Sequence, residues 1–370
     1  MRQGYTSVVG EESNPLYEGR RVSSEPQVLH VVVSIGWTAA WPRRYTQHDG
    51  KSMSTFRNWR LKGAIQKGLS ALPGGCWVND QLQRRAGDLR AFEKNIDMKV
   101  ADWTGIISYL KAAGRAEVGG ATILEIGSGW YPTLPLCFSL AGVRCCHTVD
   151  INRHLHEGLT FRMCKALGQR LDAITAETGL SMALVRERYQ RLSGTSRLEN
   201  LLSEAGICYH APADGANLSW LPEQSLDLVY SNSVLEHVPP EVIQALMREA
   251  RRVLKDDGVM VHAVACNDHY AHFDRGISYV NYLQFPEREW RFWNNRLNYQ
   301  NRLRAPDFLG MAEDAGFRII HEARAVRPGV REALSSMRIA PDFARYSSED
   351  LASTSVDFVA MKQAPGCLGC

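Results

Sequence analysis

Two glycines and an aspartate occupy positions from which they could bind a nucleoside. Gly127 and Gly129 follow a predicted buried strand over residues 121–126, and Asp150 ends a second apolar run that begins at Val143. A glycine turn after a strand lets ligand atoms approach the backbone, and a carboxylate about 20 residues further on reaches ribose hydroxyls. We therefore expect a nucleoside to lie across this turn, with Asp150 holding its ribose.

The residue that follows the turn distinguishes two kinds of nucleoside ligand. A dinucleotide-binding turn has a third glycine where this chain has Pro132, because helix and strand must pack closely around a pyrophosphate. Pro132 instead suits the first turn of a helix, where a missing amide hydrogen costs little. The turn is therefore predicted to bind a ligand that carries no pyrophosphate.

Together with two segments further along the chain, these residues resemble the class I S-adenosylmethionine-dependent methyltransferases. The glycine turn after Glu125 is similar to the first motif of that family, and Asp150 matches the acidic residue that ends its second strand. Residues 214–222 and 226–238 resemble its adenine-contacting loop and fourth strand. Tyr131 departs from the first motif, which often has a further glycine there.

The resemblance covers residues 122–265 closely and residues 317–362 loosely. It implies an α/β fold with a doubly wound, seven-stranded, Rossmann-like sheet, mostly parallel with an antiparallel closing strand at Val356–Met361. Strands that alternate with helices along the chain also favour a parallel sheet with right-handed crossovers. N-terminal helices and a helical insertion are expected in addition.

The cofactor implied by the resemblance is S-adenosyl-L-methionine. Asp214 would meet its adenine amino group, and Asp150 would hold its ribose unless it serves only as a helix cap. Glu125 either touches the ligand or orients the glycine turn, because a carboxylate inside an apolar strand needs a partner. The predicted cofactor-binding residues are Glu125, Gly127, Ser128, Gly129, Asp150, Ile151, Asp214, Gly215, Ala216, Ser231 and Asn232.

Three histidines are candidates for the catalytic base. A sulfonium methyl group is already activated, so the site must align the acceptor and remove a proton when the acceptor is a hydroxyl. His237 follows the fourth strand, His269 and His272 follow the fifth, and histidine has a near-neutral reference pKa. Each could instead be a structural histidine. Asp268, His269, His272 and Asp274 could also hold a divalent ion, but we assign no metal ligands.

Residues 267–304 combine aromatic side chains with arginines, as a predicted substrate cap. Such a mixture supplies flat apolar walls and a few hydrogen-bonding groups, as small-molecule pockets do. The alternative is that these aromatics form the core of an added helical layer. Stacking aromatics with arginines could also bind single-stranded RNA, although a net charge of +3 gives no strong electrostatic footprint. The predicted substrate-binding residues are Tyr270, Tyr279, Tyr282, Trp290 and Arg302.

The chain divides into three predicted parts. Residues 1–53 are rich in Ser, Gly, Arg and Pro and are expected to be poorly ordered or irregular. Apolar residues three or four apart predict helices over residues 54–115. Residues 116–365 form the methyltransferase domain, with a helical insertion at 152–205 and the cap at 267–304.

Composition and cysteine usage favour a globular protein with reduced thiols. The hydrophobic content of 45% supports a sizeable core, and no apolar run reaches the roughly 20 residues that cross a bilayer. Cys145, Cys146 and Cys208 are predicted to lie in or beside the core as small hydrophobes, and Cys367 with Cys370 supplies too few ligands for structural zinc. A cytoplasmic location is expected.

The function predicted from the sequence is methyl transfer from S-adenosyl-L-methionine to a small-molecule or glycan acceptor, at a hydroxyl oxygen. Methylation of RNA or protein is one alternative, and a noncatalytic cofactor-binding scaffold subunit is another. Nucleic acid is disfavoured as a partner, no membrane span is expected, and a homodimer is left open.

Overall fold

The computed structural model describes residues 58–72, 92–115 and 117–363. The predictions for residues 1–53 and for the pair Cys367 and Cys370 fall outside these residues. Within the described residues no helix is both long and apolar enough to span a lipid bilayer.

Seven strands of the described chain form one sheet in the order β3-β2-β1-β4-β5-β7-β6. Neighbouring strands from β3 to β5 are parallel, whereas β7 is antiparallel to both β5 and β6. The predicted fold class and its antiparallel closing strand are therefore confirmed. The strands are β1 Thr122–Ile126, β2 Cys145–Val149, β3 Ile207–His210, β4 Leu226–Asn232, β5 Leu254–Ala265, β6 Phe317–Ala325 and β7 Ser355–Lys362.

The helices of the described residues precede, connect and follow these strands. They are α1 Trp59–Ser70, α2 Phe92–Ala112, α3 Thr133–Ala141, α4 Glu157–Leu167, α5 Leu171–Thr178, α6 Met182–Ser193, α7 Leu198–Glu204, α8 Pro240–Val253, α9 Tyr270–Phe273, α10 Glu287–Trp293, α11 Ala305–Asp314, α12 Val330–Ser336 and α13 Ser348–Ala352. Short 3₁₀ turns occur at Leu235–His237, Asn281–Gln284 and Pro341–Phe343. Four helices, α4 to α7, thus lie between β2 and β3.

The order of the strands reverses between β1 and β4. The chain places β2 and β3 on one side of β1, and β4 on the other. Open parallel sheets bind ligands beyond the carboxyl ends of the strands at such a reversal. The glycine turn follows β1 and the Leu235–His237 turn follows β4, so the fold brings both to this point.

Hydrophobic layers cover both faces of the sheet. Side chains of a strand alternate between its faces, so Ile123 packs with Trp103 of α2 and Phe138 in one layer, and Leu124 packs with Leu246 in the other. Every residue of β1 is buried, as expected for a strand covered on both sides. Because Trp103 is fully buried here, α2 belongs to the same core as the sheet.

The cap, residues 267–304, has a hydrophobic core of its own, which α1 completes. Trp59 of α1 lies 5.3 Å from Tyr270 and 4.8 Å from Trp293 between ring centroids. Its backbone amide donates a hydrogen bond of 3.0 Å to Asp274 Oδ2. The first described helix therefore packs on a segment that lies more than 200 positions later in the chain.

Arg304 joins the end of the cap to the rest of the domain. Its side chain is fully buried, and its guanidinium donates to the backbone oxygens of Cys266 at 2.7 Å and Leu351 at 3.1 Å. A planar guanidinium offers five donors in a fixed fork, which suits several carbonyl acceptors at once. The buried cation thus fixes the cap against the end of β5.

Candidate active site

The glycine turn after β1 has a backbone that only glycine adopts without strain. Gly127 has φ 90° and Gly129 has φ 63°, both in the left-handed region. A Cβ on Gly127 would stand 2.5 Å from Val234 Cγ2, whereas a Cβ on Gly129 would meet nothing within 4 Å. Gly127 therefore lets the turn pack against the segment after β4, and Gly129 leaves open space above the sheet.

Asp150 lies directly beside this turn. Its Oδ2 accepts a hydrogen bond of 3.3 Å from the Gly129 amide, and its Oδ1 accepts one of 2.9 Å from the Asn152 amide. Burial raises the pKa of the carboxyl, and these amides partly offset that effect. The sheet thus brings together the two sequence-predicted features, the turn and the acid. The neighbouring Ile151 side chain is exposed.

Glu125 and Ser128 make hydrogen bonds beneath the turn. Thr148 Oγ1 donates to Glu125 Oε2 at 2.6 Å and lies 2.7 Å from Ser128 Oγ. Burial raises the pKa of Glu125 to about 8. These contacts support the interpretation that Glu125 orients the turn, because Thr148 links its carboxyl to Ser128 within the turn.

The predicted adenine loop is attached to the end of β2. The Ala213 amide donates to Asp150 O at 2.9 Å, and the Ala216 amide donates to Asp214 Oδ1 at 2.8 Å. Gly215 is buried, and a Cβ there would stand 2.9 Å from Leu246 Cδ2. The loop is therefore packed close to Asp150, while the Asp214 side chain stays exposed.

The last residues of β4 point into the protein. Ser231 Oγ lies 2.7 Å from His262 Nδ1, and Asn232 Nδ2 donates to Asp102 Oδ2 at 2.8 Å. Asp102 is a buried acid of α2, and burial raises its pKa. Sequence analysis missed Asp102, although a carboxylate inside the apolar stretch of that helix was a visible signal.

Beyond β4 the backbone turns sharply at Ser233. This residue has φ 56°, an uncommon value for a side-chain-bearing residue, and it is buried. Its amide donates to Ala263 O at 2.9 Å, which fixes the turn to β5. Backbone strain of this kind is often found at functional sites. Here the turn at Ser233 is followed by Glu236 and His237, beyond the carboxyl end of β4.

His237 is held in one tautomer. Its Nδ1 lies 2.9 Å from Tyr299 O, and a carbonyl oxygen can only accept, so Nδ1 carries the hydrogen. Nε2 is then left with its lone pair. Burial lowers the pKa of His237 to about 4, so the ring is neutral over the whole physiological range.

Glu236 and His269 carry polar atoms that are buried without a well-formed hydrogen bond to any described residue. These atoms are both oxygens of Glu236, which is 1% exposed, and Nε2 of His269, which is 5% exposed. One ligand-type atom from each of Glu236, His237 and His269 lies within 4.8 Å of the others. Buried polar groups are nearly always paired, so these unpaired atoms are candidates for contact with a polar ligand.

Burial separates the protonation states of these groups. The pKa of Glu236 rises to about 8, which the nearby amides of Glu236 and Ala265 only partly offset, so its carboxyl is mostly protonated at neutral pH. The pKa of His269 falls because of burial and then because of His237 and His272. A protonated carboxyl beside two neutral imidazoles offers both a proton donor and proton acceptors, and we therefore interpret the cluster as acid–base machinery.

His272, the third predicted base, lies nearby but is engaged. Its Nε2 is 2.8 Å from Asn267 Oδ1, and burial lowers its pKa to about 3. Asp268 accepts from Asn281 Nδ2 at 3.0 Å, and Asp274 accepts from the backbone of α1. These residues do not converge with His269 on a common point, so the structure offers no support for the metal site considered at Asp268 to Asp274.

Asn301 ties the cap to the turn after β4. Its Nδ2 donates to Leu235 O at 2.7 Å and to Val238 O at 2.8 Å, and its amide donates to Glu236 O at 2.9 Å. The turn that presents Glu236 and His237 is thus held by a cap residue. Sequence analysis missed both Asn301 and Glu236, because their roles depend on contacts distant in sequence.

The five predicted substrate-binding residues lie in or beside the core of the cap. Tyr270, Tyr282 and Trp290 are each at most 1% exposed. Arg302 donates to Tyr282 O at 3.1 Å and is also buried, and Tyr279 is half-buried below Arg327. These contacts give the residues a packing role, which is the alternative considered from the sequence, and a substrate-binding role remains a prediction.

A comparison with protein-family models places a methyltransferase domain on residues 97–322. The match covers more than half of the chain, and the chain belongs to this methyltransferase family. The class predicted from the sequence, a class I methyltransferase with S-adenosyl-L-methionine as methyl donor, is confirmed. No curated protein matches the sequence significantly.

Several solved structures are similar to the chain at low sequence identity. An S-adenosylmethionine-dependent methyltransferase from Mesorhizobium loti is 18% identical, covering 66% of this chain and 93% of its own, with a TM-score of 0.36. A geranyl diphosphate C-methyltransferase from Streptomyces coelicolor A3(2) is 13% identical. The match covers 73% of this chain and 84% of the other, with a TM-score of 0.40. A magnesium protoporphyrin IX methyltransferase from Synechocystis PCC 6803 is 14% identical, covering 81% and 99%, at 0.39.

Proposed function

We propose that this enzyme methylates a hydroxyl oxygen of a small-molecule or glycan acceptor. The observation that carries the proposal is the cluster of Glu236, His237 and His269, in which buried polar atoms lie unpaired beside a neutral imidazole. An acceptor hydroxyl bound at this cluster would satisfy the unpaired atoms and place its proton near a base. The cluster lies beyond the carboxyl ends of β4 and β5, on the same side of the sheet as the glycine turn that follows β1.

The residues around the glycine turn fit the methyl donor. Asp150 is placed to accept from ribose hydroxyls, and the open space at Gly129 lets a ligand approach the backbone. Asp214 is exposed beside them, in position to accept from an adenine amino group. Bound there, S-adenosyl-L-methionine supplies an electrophilic methyl group on sulfonium sulfur.

The chain's own residues supply the rest of the chemistry. His237 Nε2 accepts the hydroxyl proton as the oxygen forms its bond to the methyl carbon, and the carbon–sulfur bond breaks with its electron pair on sulfur. The Tyr299 carbonyl holds the ring in the correct tautomer before and after transfer. Protonated Glu236 donates a hydrogen bond to the acceptor and so helps to orient it.

Further properties of the chain support parts of this proposal. The net charge of +3 gives little attraction to RNA, which favours a small acceptor over a nucleic acid. The six described cysteines are free thiols, which supports a cytoplasmic location. A homodimer stays a prediction that size-exclusion chromatography with light scattering tests.

Labelled methyl donor and fractionated cell extract test the proposal. We expect label in a low-mass product with the wild type, and none with Asp150→Ala, whose affinity for S-adenosylhomocysteine should collapse in isothermal titration. Asp256→Ala, at an aspartate whose side chain is 81% exposed, is the matched control and should label normally. A parallel reaction with EDTA should be unchanged.

Other outcomes would contradict the proposal in distinct ways. Label confined to RNA or protein fractions would establish the macromolecular alternative. Cofactor binding without label in any fraction would indicate a noncatalytic scaffold. Loss of label with EDTA in Cys208→Ala, which lacks the second metal-type cluster on β2 and β3, would assign the cluster of Glu236, His237 and His269 to a metal ion instead of a proton acceptor.

A further inference from the structure

Two cysteines and two histidines converge on one face of the sheet at its β3 edge. Cys145 and His147 are two apart on β2, and Cys208 and His210 are two apart on β3, so each pair shares a face. The strands are parallel, with His147 opposite Cys208. All four side chains are at least partly accessible, and Cys208 is exposed. The expectation that Cys208 is a small buried hydrophobe is therefore wrong, because the face of β3 that carries it is accessible to solvent.

Two separations among three ligand-type atoms match those of a tetrahedral metal centre. Cys145 Sγ lies 3.9 Å from Cys208 Sγ and 3.6 Å from His147 Nε2. Tetrahedral zinc, with Zn–S near 2.3 Å and Zn–N near 2.0–2.1 Å, separates two sulfurs by about 3.8 Å and a sulfur and a nitrogen by about 3.6 Å. All three atoms lie within 4.8 Å of one another. A single ion among these atoms would thus draw its three protein ligands from two neighbouring strands.

His210 prepares His147 for this role. His147 Nδ1 lies 3.2 Å from His210 Nε2, so a hydrogen on Nδ1 leaves His147 Nε2 with its lone pair toward the sulfurs. Metal-binding histidines regularly donate their other ring nitrogen in this way. Trp220 stacks on His210 with centroids 3.9 Å apart and covers the edge of His147. The pair is therefore oriented and partly shielded from water.

We propose that Cys145, His147 and Cys208 bind a zinc ion, with His210 as the outer partner that orients His147. Two thiolates and an imidazole select a thiophilic cation, and zinc accepts this ligand set in tetrahedral geometry. Water occupies the fourth position. The ion ties the edge strand β3 to β2, the strand that ends at the predicted ribose acid. The proposal is independent of the methyl acceptor.

A disulfide between the two cysteines is the competing chemistry. It requires the sulfurs to approach to about 2.05 Å, whereas here they are 3.9 Å apart and both thiols are free. A disulfide would also not account for the contact of His147 Nε2 with Cys145 Sγ or for the pairing of His147 Nδ1 with His210. Metal binding uses all three atoms where they lie.

Zinc and cobalt ions probe the site directly. Metal-free protein, titrated with Zn²⁺ against a chromophoric chelator, should bind about one equivalent, and Co²⁺ should give a thiolate-to-cobalt charge-transfer band. Cys208→Ala should weaken zinc binding by about 100-fold or more, and His210→Phe, which keeps the stack on Trp220, by about 10- to 100-fold. Cys146→Ala is the matched control, because this neighbouring thiol is buried on the opposite face of β2.

Folding is checked by circular dichroism of the metal-free variants. Zinc should raise the melting temperature of the wild type and of Cys146→Ala, but not that of Cys208→Ala. Zinc binding by Cys208→Ala as tight as by the wild type, or an equal loss in Cys146→Ala, would overturn the proposal. A disulfide between Cys145 and Cys208 in protein isolated without reductant, detected by peptide mass spectrometry, would also overturn the proposal.

Discussion

The Nδ1 atom of His237 lies 2.9 Å from the backbone oxygen of Tyr299, and this bond joins the chemistry of the site to the cap. The turn after β4 presents His237, but a carbonyl of the cap decides which ring nitrogen is free. Asn301, two residues beyond Tyr299, holds the same turn through Leu235 O and Val238 O. The cap therefore orients the base, whatever acceptor it admits.

Replacement of His237 by asparagine separates catalysis from structure. The asparagine amide can still donate toward Tyr299 O, but no basic nitrogen remains. We expect kcat to fall by about 10²- to 10⁴-fold, as for loss of a general base. Affinity for S-adenosylhomocysteine, measured by isothermal titration, should change little. Full turnover in this variant would remove His237 from the mechanism.

The pH dependence of kcat reports the perturbed groups. Neutral His237 is the active form, and with a pKa of about 4 it is fully available above pH 5. Protonated Glu236 is its active partner, and with a pKa of about 8 it is lost at higher pH. We expect a plateau from about pH 5 to 7, with half-maximal rates near pH 4 and pH 8. A rising limb centred near 6.5, the value of an unperturbed histidine, would contradict this assignment.

Gly127→Ala tests the contact between the glycine turn and Val234. The new methyl group would stand 2.5 Å from Val234 Cγ2, so we expect binding of S-adenosylhomocysteine to weaken at least about tenfold. Gly129→Ala is the comparison variant, since its φ is also positive, 63° against 90°, and its new methyl group would meet no protein atom within 4 Å, only a bound ligand.

The second substitution Val234→Ala supplies a rescue. It should restore part of the affinity of Gly127→Ala, giving a non-additive pair. Equal losses in Gly127→Ala and Gly129→Ala, with no rescue, would show that the contact with Val234 is not responsible.

Asp357 predicts how stability varies with pH. Its carboxyl accepts from Tyr109 Oη at 3.1 Å, and burial raises its pKa to about 7, above the unfolded value near 3.8. The folded state therefore binds the proton more tightly, and this contribution is lost as pH rises through 7. Asp357→Asn should raise the melting temperature at pH 8–9, and the gain should shrink toward pH 4.

Exposed Asp256 provides the control for that measurement. Asp256→Asn should shift the melting temperature little at any pH. A gain for Asp357→Asn that is constant across the pH range would show that packing, and not ionisation, is responsible.

The parts of the fold that sequence predicted are those set by local pattern. The buried strand before Gly127, the glycine turn and the acid at Asp150 follow from residues close together in the chain, and the sheet places them side by side. His237 was predicted at the end of the fourth strand, where it lies. These features need only the order of strands and helices to be understood.

The rest depends on contacts distant in sequence. Whether Tyr270 lines a pocket or fills a core is decided by Trp59, more than 200 positions earlier. Glu236 gains its raised pKa only because the structure around it removes water from its carboxyl. The cluster of Cys145 with Cys208 similarly exists because two parallel strands are in one register.

Identifying the atom that receives the methyl group tests the proposed O-methylation most directly. S-adenosylmethionine labelled with ¹³C in its methyl group, incubated with the enzyme and the active extract fraction, gives a product whose methyl carbon can be assigned by NMR. We expect the NMR signal of a methyl ether carbon, bonded to oxygen, which is absent with His237→Asn. A methyl group bonded to nitrogen or carbon would contradict it.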